Sequence, residues 1–264
     1  MSGPPPVGPV RREPPRFRQL SVQRTEELGP RLLRVTVGGG ELSGFELPDP
    51  AGSVRLLLPD PGARSLTTPR WDGNEFRRDD GSRPVLRTVT PRHHRPDEAE
   101  LDVDVVLHGP TPLATWARSA TRGTPVALSG PGRGYAIDPR AGDLLLVGDE
   151  SALPAIAQIM EAVPESVPLR VVVEVGEPSG RVPLPDRSHT EVTWLDQPAT
   201  GPPGGAMVDL VEATDITDQT WVWVAGEAAA VQAIRRDLLG ERSIPRSRAV
   251  IRGYWKHGRY PDGH

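Results

Sequence analysis

Apolar positions recur with two different periods along this chain, and the period changes near residue 141. Before that point the runs are short and alternating. Leu101, Val103, Val105 and Leu107 fall on one face of a segment whose other face carries Asp102 and Asp104, the period-two signature of a strand. Shorter β-compatible runs occupy residues 17–24, 31–37, 54–58, 85–90 and 125–129, with Gly, Pro and Asp clusters between them. Many short strands separated by turn chemistry predict a small antiparallel barrel or sandwich. One helix, over residues 113–120, interrupts the series.

After residue 141 the apolar runs become continuous. Buried strands are predicted at 144–147, 169–175, 192–195, 221–225 and 249–255. Between the first two, Ala152, Leu153, Ala155, Ile156, Ile159, Met160 and Val163 recur at helical spacing behind a candidate cap at Ser151, as expected for a helix start. A second helix is predicted over 227–239, with Val231, Ile234 and Leu238 inward and Arg235 and Arg236 outward. Buried strands alternating with helices imply a parallel sheet covered on both faces. The expected architecture is therefore an antiparallel β-barrel over 16–138 followed by an α/β domain over 139–264. Residues 1–15 carry Pro4, Pro5, Pro6, Pro9, Pro14 and Pro15 and are expected as a disordered tail. There is no internal repeat.

Composition narrows the function classes. The chain has 264 residues with 31 prolines and 28 glycines, about a fifth of the total and nearly twice ordinary usage. The excess is aperiodic, which excludes collagen and favours short elements with tight turns. Cysteine is absent, so disulfides, thiolate zinc sites, iron–sulfur clusters and thiol nucleophiles are excluded. Redox chemistry would have to come from a bound cofactor. The formal charge of −4 disfavours nucleic acid as a partner. No apolar run reaches membrane-span length and the N-terminus has no secretory h-region, so a cytoplasmic protein, expected to be a monomer, is the working expectation. Lys256 is the only lysine; the other fixed cations are planar guanidiniums.

Dinucleotide G-x-G-x-x-G, Walker A, G-x-S-x-G and H-E-x-x-H signatures are all missing. Gly130, Gly132 and Gly134 follow a predicted barrel strand and open no helix, so a plain turn is expected there. His93 and His94 point apart on a strand, and no metal site is expected. Three other segments carry candidate chemistry. Arg87-Thr88-Val89-Thr90-Pro91-Arg92 places arginine forks and hydroxyls at a strand end, suited to phosphate and ribityl oxygens; a solvated edge strand is the plainer alternative. His108-Gly109-Pro110-Thr111-Pro112-Leu113-Ala114-Thr115-Trp116 runs from a strand through a turn into a helix start, whose free N–H groups suit a pyrophosphate. Gly148-Asp149-Glu150-Ser151 directly follows a buried strand, and Ala225-Gly226-Glu227 repeats that position at a later one, where open α/β sheets bind ligands.

Together with Gly253-Tyr254-Trp255-Lys256-His257-Gly258-Arg259, these segments resemble the siderophore-interacting protein family, flavin-dependent ferric-siderophore reductases related to the ferredoxin–NADP reductases. The resemblance spans residues 16–260. It implies an N-terminal FAD-binding barrel and a C-terminal Rossmann-like NAD(P)-binding domain, with NADPH or NADH as reductant. It assigns Arg87, Thr88, Val89, Thr90 and Arg92 to the flavin and its diphosphate, and His108, Thr111, Leu113, Ala114, Thr115 and Trp116 to diphosphate and adenosine. Gly148, Asp149, Glu150, Ser151, Ala225, Gly226 and Glu227 would receive the nicotinamide nucleotide, and Tyr254 and Trp255 would lie near the flavin. Val89 departs from the tyrosine usual at its position, and Thr111 from a glycine. No side chain is expected to act as acid, base or nucleophile, because the cofactor carries the chemistry. Arg133, Arg252, Lys256 and Arg259 are candidates for a cationic mouth that attracts an anionic ferric chelate. A flavin reductase for another acceptor and a non-catalytic siderophore or nucleotide binder are the alternatives. Arg181 and Arg187 are the candidates to meet a 2′-phosphate.

Overall fold

The computed structural model describes residues 16–258; the proline-rich stretch 1–15 and Arg259 lie outside them. The first group of strands comprises β1 (Arg18–Gly29), β2 (Leu32–Gly38), β3 (Val54–Leu57), a small hairpin of β4 (Arg70–Trp71) and β5 (Phe76–Arg77), then β6 (Leu86–Val89), β7 (Pro91–Arg95) and β8 (Glu100–Val106). Helix α1 (Pro112–Ser119) precedes β9 (Pro125–Ser129). Seven of these strands form one antiparallel sheet in the order β6-β3-β9-β1-β2-β8-β7.

That order explains the barrel. β6 and β7 stand at opposite edges of the sheet, yet only Thr90 separates them in sequence. A flat sheet of seven strands would span ~29 Å between its edges at ~4.8 Å per strand, and one residue reaches only ~3.5 Å. The sheet must roll until its edges approach. Leu20, Val22, Val35, Val37, Leu56, Leu101, Val103, Val105, Val126 and Leu128 fill its interior, and Trp116 and Ala117 of α1 plug one end.

The second group comprises β10 (Asp143–Asp149), α2 (Leu153–Ala162), β11 (Leu169–Val175), β12 (Thr190–Asp196), α3 (Gly205–Ala213), β13 (Thr220–Glu227), α4 (Ala228–Arg236) and β14 (Ala249–Trp255). The five strands are parallel in the order β12-β11-β10-β13-β14. One core packs Ile156, Ile159 and Met160 of α2 against Leu144, Leu146, Val171 and Trp223. The other packs α3 and α4 against Leu145, Val147, Val222 and Val224. The order reverses between β10 and β13, and ligands bind open α/β sheets at such a switch point, outside the carboxyl ends of the strands.

Four expectations need correction. Asp102 was expected to face outward, but it is buried: Arg95 grips both its oxygens at 2.7 Å, Thr36 donates at 2.7 Å and the His93 ring lies 3.1 Å away. Those partners hold its carboxyl far below the usual range despite burial, since donors favour the charged form. Helix α3 was not anticipated, because the run Gly201-Pro202-Pro203-Gly204 immediately before it reads as loop. Its first turn is secured by Glu174 of β11, whose oxygens accept from the N–H groups of Gly204 (2.6 Å) and Met207 (3.0 Å), a distant cap that no local pattern announces. The helix predicted to 239 stays α-helical only to Arg236 and continues as a π-turn over Asp237–Glu241. The segment 87–92, expected at one strand end, is divided at Thr90 between β6 and β7, the strand that carries His93 and His94.

Candidate functional site

A cleft of about 810 Å³ opens between the barrel and the parallel sheet. Its barrel wall is the β6 segment Leu86–Thr90, together with Asp104, Val105 and Val106 from the end of β8 and His108, Thr111, Pro112 and Leu113 from the turn into α1. Its other wall is Ser151, Pro154 and the run Arg252–Lys256 of β14 and beyond. β6 is a sheet edge, so one side of its backbone has no strand partner and faces ligand space. A planar ligand with hydrogen-bonding edges fits such a strand.

The floor of the barrel wall continues into a helix start. Thr111 caps α1: its hydroxyl accepts from the Ala114 N–H at 3.2 Å, and Pro112 occupies the first turn, where no N–H is needed. The N-terminus of α1 thus opens on the cleft with the positive end of its peptide dipoles. Ala114 and Trp116, assigned to the cofactor by the resemblance, are buried in the barrel core, and Thr115 faces solvent. They position the helix and do not line the cleft. Arg92 is likewise drawn away. Its guanidinium forms a bidentate pair with Glu161 of α2, at 2.6 and 2.8 Å, because the break at Thr90 sends β7 to the other edge of the sheet.

At the switch point the predicted residues serve one another. Asp149, at the end of β10, is buried and accepts four hydrogen bonds: from Ser151 N–H (2.9 Å), Ser151 Oγ–H (2.5 Å), Glu227 N–H (2.8 Å) and Trp255 Nε1–H (2.7 Å). It ties together the ends of β10, β13 and β14. Burial pushes its carboxyl above the ordinary value, against these donors. Gly148 and Gly226 make the packing possible, since a Cβ on Gly148 would lie 2.5 Å from that of Ala152, and one on Gly226 2.6 Å from Asp149 Oδ2. Glu227 is buried and caps α4 through the Ala229 and Ala230 N–H groups. Glu150 is held by Arg31 of the β1–β2 hairpin in a bidentate pair at 2.8 Å. Ala225 is fully buried. Of this group only Ser151 reaches the cleft.

Tyr254 and Trp255 close the cleft from the α/β side. The Trp255 ring lies 5.7 Å from that of His108 across the opening, and Asp149 fixes its indole N–H. The Tyr254 phenol is raised above its ordinary value by burial, opposed in part by the nearby Thr90 hydroxyl.

The expected cationic mouth is smaller than the sequence suggested. Lys256 lines the cleft and is exposed. Arg252 lines it too, but its guanidinium donates to the carbonyls of Ala51 (3.5 Å), Arg133 (3.0 Å) and Gly134 (2.7 Å) and so fastens the inter-domain loop to β14. Arg133 faces a separate groove with Asp49, Arg235 and Arg246. Ala51, Ser53 and Val106 line the cleft without having been singled out; only the run of β8 into the His108 turn could have pointed to Val106.

The residues present fit a flavin dinucleotide. An apolar slot bounded by Leu86, Val89, Val105 and Leu113 suits a planar ring system, and Arg87, Thr88 and the start of α1 supply donors for a diphosphate. Among the described residues no helix is long and apolar enough to cross a membrane.

Comparison with known proteins agrees with this geometry. Two family profiles match: "Siderophore-interacting FAD-binding domain" over residues 21–135 and "Siderophore-interacting protein" over 141–258. The ferric vibriobactin reductase ViuB of Vibrio cholerae is 30% identical over 245 residues, covering 92% of this chain and 90% of that protein. A siderophore utilization protein from T. fusca superposes with a TM-score of 0.82 at 30% identity, over 96% of this chain and 97% of the other. A ferredoxin NADP+ reductase from Neisseria gonorrhoeae with bound FAD and NADP has a TM-score of 0.64 at 13% identity, over 90% and 99%, a likeness of fold.

Proposed function

Because this chain belongs to the siderophore-interacting protein family, we propose that it is a cytoplasmic, FAD-dependent reductase that uses NADH or NADPH to reduce the iron of a ferric siderophore and free it as Fe(II). The observation that carries the proposal is the cleft itself. It joins an open strand edge, a helix N-terminus and two aromatic side chains beside the switch point of a parallel sheet.

FAD, when bound, supplies the means to accept an electron pair and release single electrons. The chain's own residues then have positioning roles. The β6 edge from Leu86 to Thr90 would hold the planar ring, and Arg87, Thr88 and the Leu113 N–H in the first turn of α1 would hold the diphosphate. Tyr254 and Trp255 would exclude water from the ring, with Asp149 keeping the indole in place. The crevice between the ends of β10 and β13 would take the pyridine nucleotide, with backbone and Ser151 as contacts. At the mouth, Lys256 would attract an anionic chelate. In the net reaction one reduced nucleotide and two ferric chelates give the oxidised nucleotide, two ferrous ions, the two freed chelators and a proton. Fe(II) is a softer ion than Fe(III) and is held less firmly by oxygen chelators, by the hardness argument.

The test is an anaerobic titration of the FAD-loaded protein with NADH and with NADPH, followed by ferric catecholate and hydroxamate chelates. Bleaching by a nucleotide and stoichiometric return of colour with a ferric chelate is the expected result. Failure to take up FAD would overturn the proposal. Return of colour only with free flavin or a quinone would assign another acceptor.

A further inference from the structure

We infer that the nucleotide crevice is built for a ribose 2′-hydroxyl, so that NADH and not NADPH is the reductant; this rests on the reading of the crevice as a pyridine-nucleotide site. The carboxyl ends of β10, β11 and β12, three neighbouring parallel strands on the side of the switch point away from β13, would face the adenosine ribose. In such sheets an acidic residue at a strand end accepts from the ribose hydroxyl of NAD, whereas an available arginine accommodates the extra phosphate of NADP.

Each of these strands ends in a carboxylate. Glu150 follows β10, Glu177 lies two residues beyond β11, and Asp196 is the last residue of β12, directly beside Val175 in the ladder. The cations there are already engaged. Arg31 bridges Glu150 at 2.8 Å and Glu177 at 3.0 Å. Arg181 contacts both oxygens of Asp196 at 2.7 Å. The three carboxylates and two guanidiniums leave one net negative charge. Arg187, the other candidate for a phosphate, is removed from the crevice: its side chain is only 3% exposed, and it donates to the carbonyls of Met160, Val163, Pro164 and Val167, closing the end of α2.

A 2′-phosphate would therefore bring added negative charge toward a net negative cluster, and it would have to take Arg181 from Asp196 to find a fork. A ribose hydroxyl needs only an acceptor, which Glu177 and Asp196 offer. Asp196 is the specificity-determining residue in this arrangement, acting both as acceptor and as the group that occupies Arg181.

The experiment measures binding of the oxidised nucleotides, NAD+ and NADP+, by calorimetry on the full-length FAD-loaded protein, without turnover. The side chains of Arg181 and Asp196 are 40% and 50% exposed, so substitution there leaves folding intact. The wild-type protein is expected to bind NAD+ about tenfold or more tightly than NADP+. Asp196→Asn, which frees Arg181, is expected to narrow that ratio by tighter NADP+ binding, and adding Arg181→Ala is expected to remove the gain. Equal or tighter binding of NADP+ by the wild type, or an unchanged ratio in Asp196→Asn, would overturn this inference and leave the reductase proposal standing. Binding of neither nucleotide would end both.

Discussion

The two walls of the cleft present themselves to a ligand in opposite ways. The barrel wall presents side chains: Arg87, Thr88 and Val89 line the slot, Thr88 exposed and the other two half-buried. The α/β wall hides them. Asp149, Glu150 and Glu227 are buried and bonded to their neighbours, and what lines the cleft on this side is Ser151, Pro154, Lys256 and the aromatic pair on β14. The difference follows from the elements. A strand at a sheet edge has a ladder partner on one side only, so its other side can line a ligand slot. A switch point between buried parallel strands has no such surplus, and its polar side chains are needed to join strand ends that have just left the ladder. Residues on the first wall should therefore matter for binding, and those on the second for architecture.

Asp149→Ala tests that division most severely. It leaves the N–H groups of Ser151, Glu227 and Trp255 without their acceptor, each a buried donor costing about 1–3 kcal/mol. We expect a loss of about 3–5 kcal/mol in urea unfolding, with a changed Trp255 fluorescence environment. A loss below about 1 kcal/mol would make Asp149 a ligand contact and dissolve the contrast. Thr111→Ala lies between the extremes. Loss of the α1 cap should cost about 1 kcal/mol, whereas Thr111→Gly should cost only a few tenths; both should be compared for FAD affinity by fluorescence titration. Thr88→Ala is the mildest: stability should stay within about 0.5 kcal/mol while FAD binding weakens. A stability loss larger than the binding loss would place Thr88 with the architectural residues.

How much of this was legible depended on whether a feature is local. The alternation of Leu101, Val103 and Val105 and the helical spacing from Ala152 to Val163 report the burial of a single element, and both elements formed where expected. The segments around Arg87, His108 and Trp255 line one cleft. What could not be read were the partners. Nothing near Arg92 in sequence points to Glu161, nothing near Arg252 points to the carbonyls of Ala51 and Gly134, and nothing near Gly204 points to Glu174. An arginine in a plausible motif looks the same whether it waits for a ligand or closes a loop.

The sequence by itself determined the two-part architecture and the family, because periodicity and motif order are properties of consecutive residues. Only the tertiary structure decided which charges remain for a ligand. Asp149, Arg31, Arg181 and Arg252 are each engaged by residues at least 15 positions away, or by several strand ends at once. Arg31 and Arg252 find their partners where the rolled sheet and the parallel sheet meet, Asp149 and Arg181 among the strand ends of the parallel sheet itself, and the free energy of a buried or bridged charge depends on what surrounds it in space.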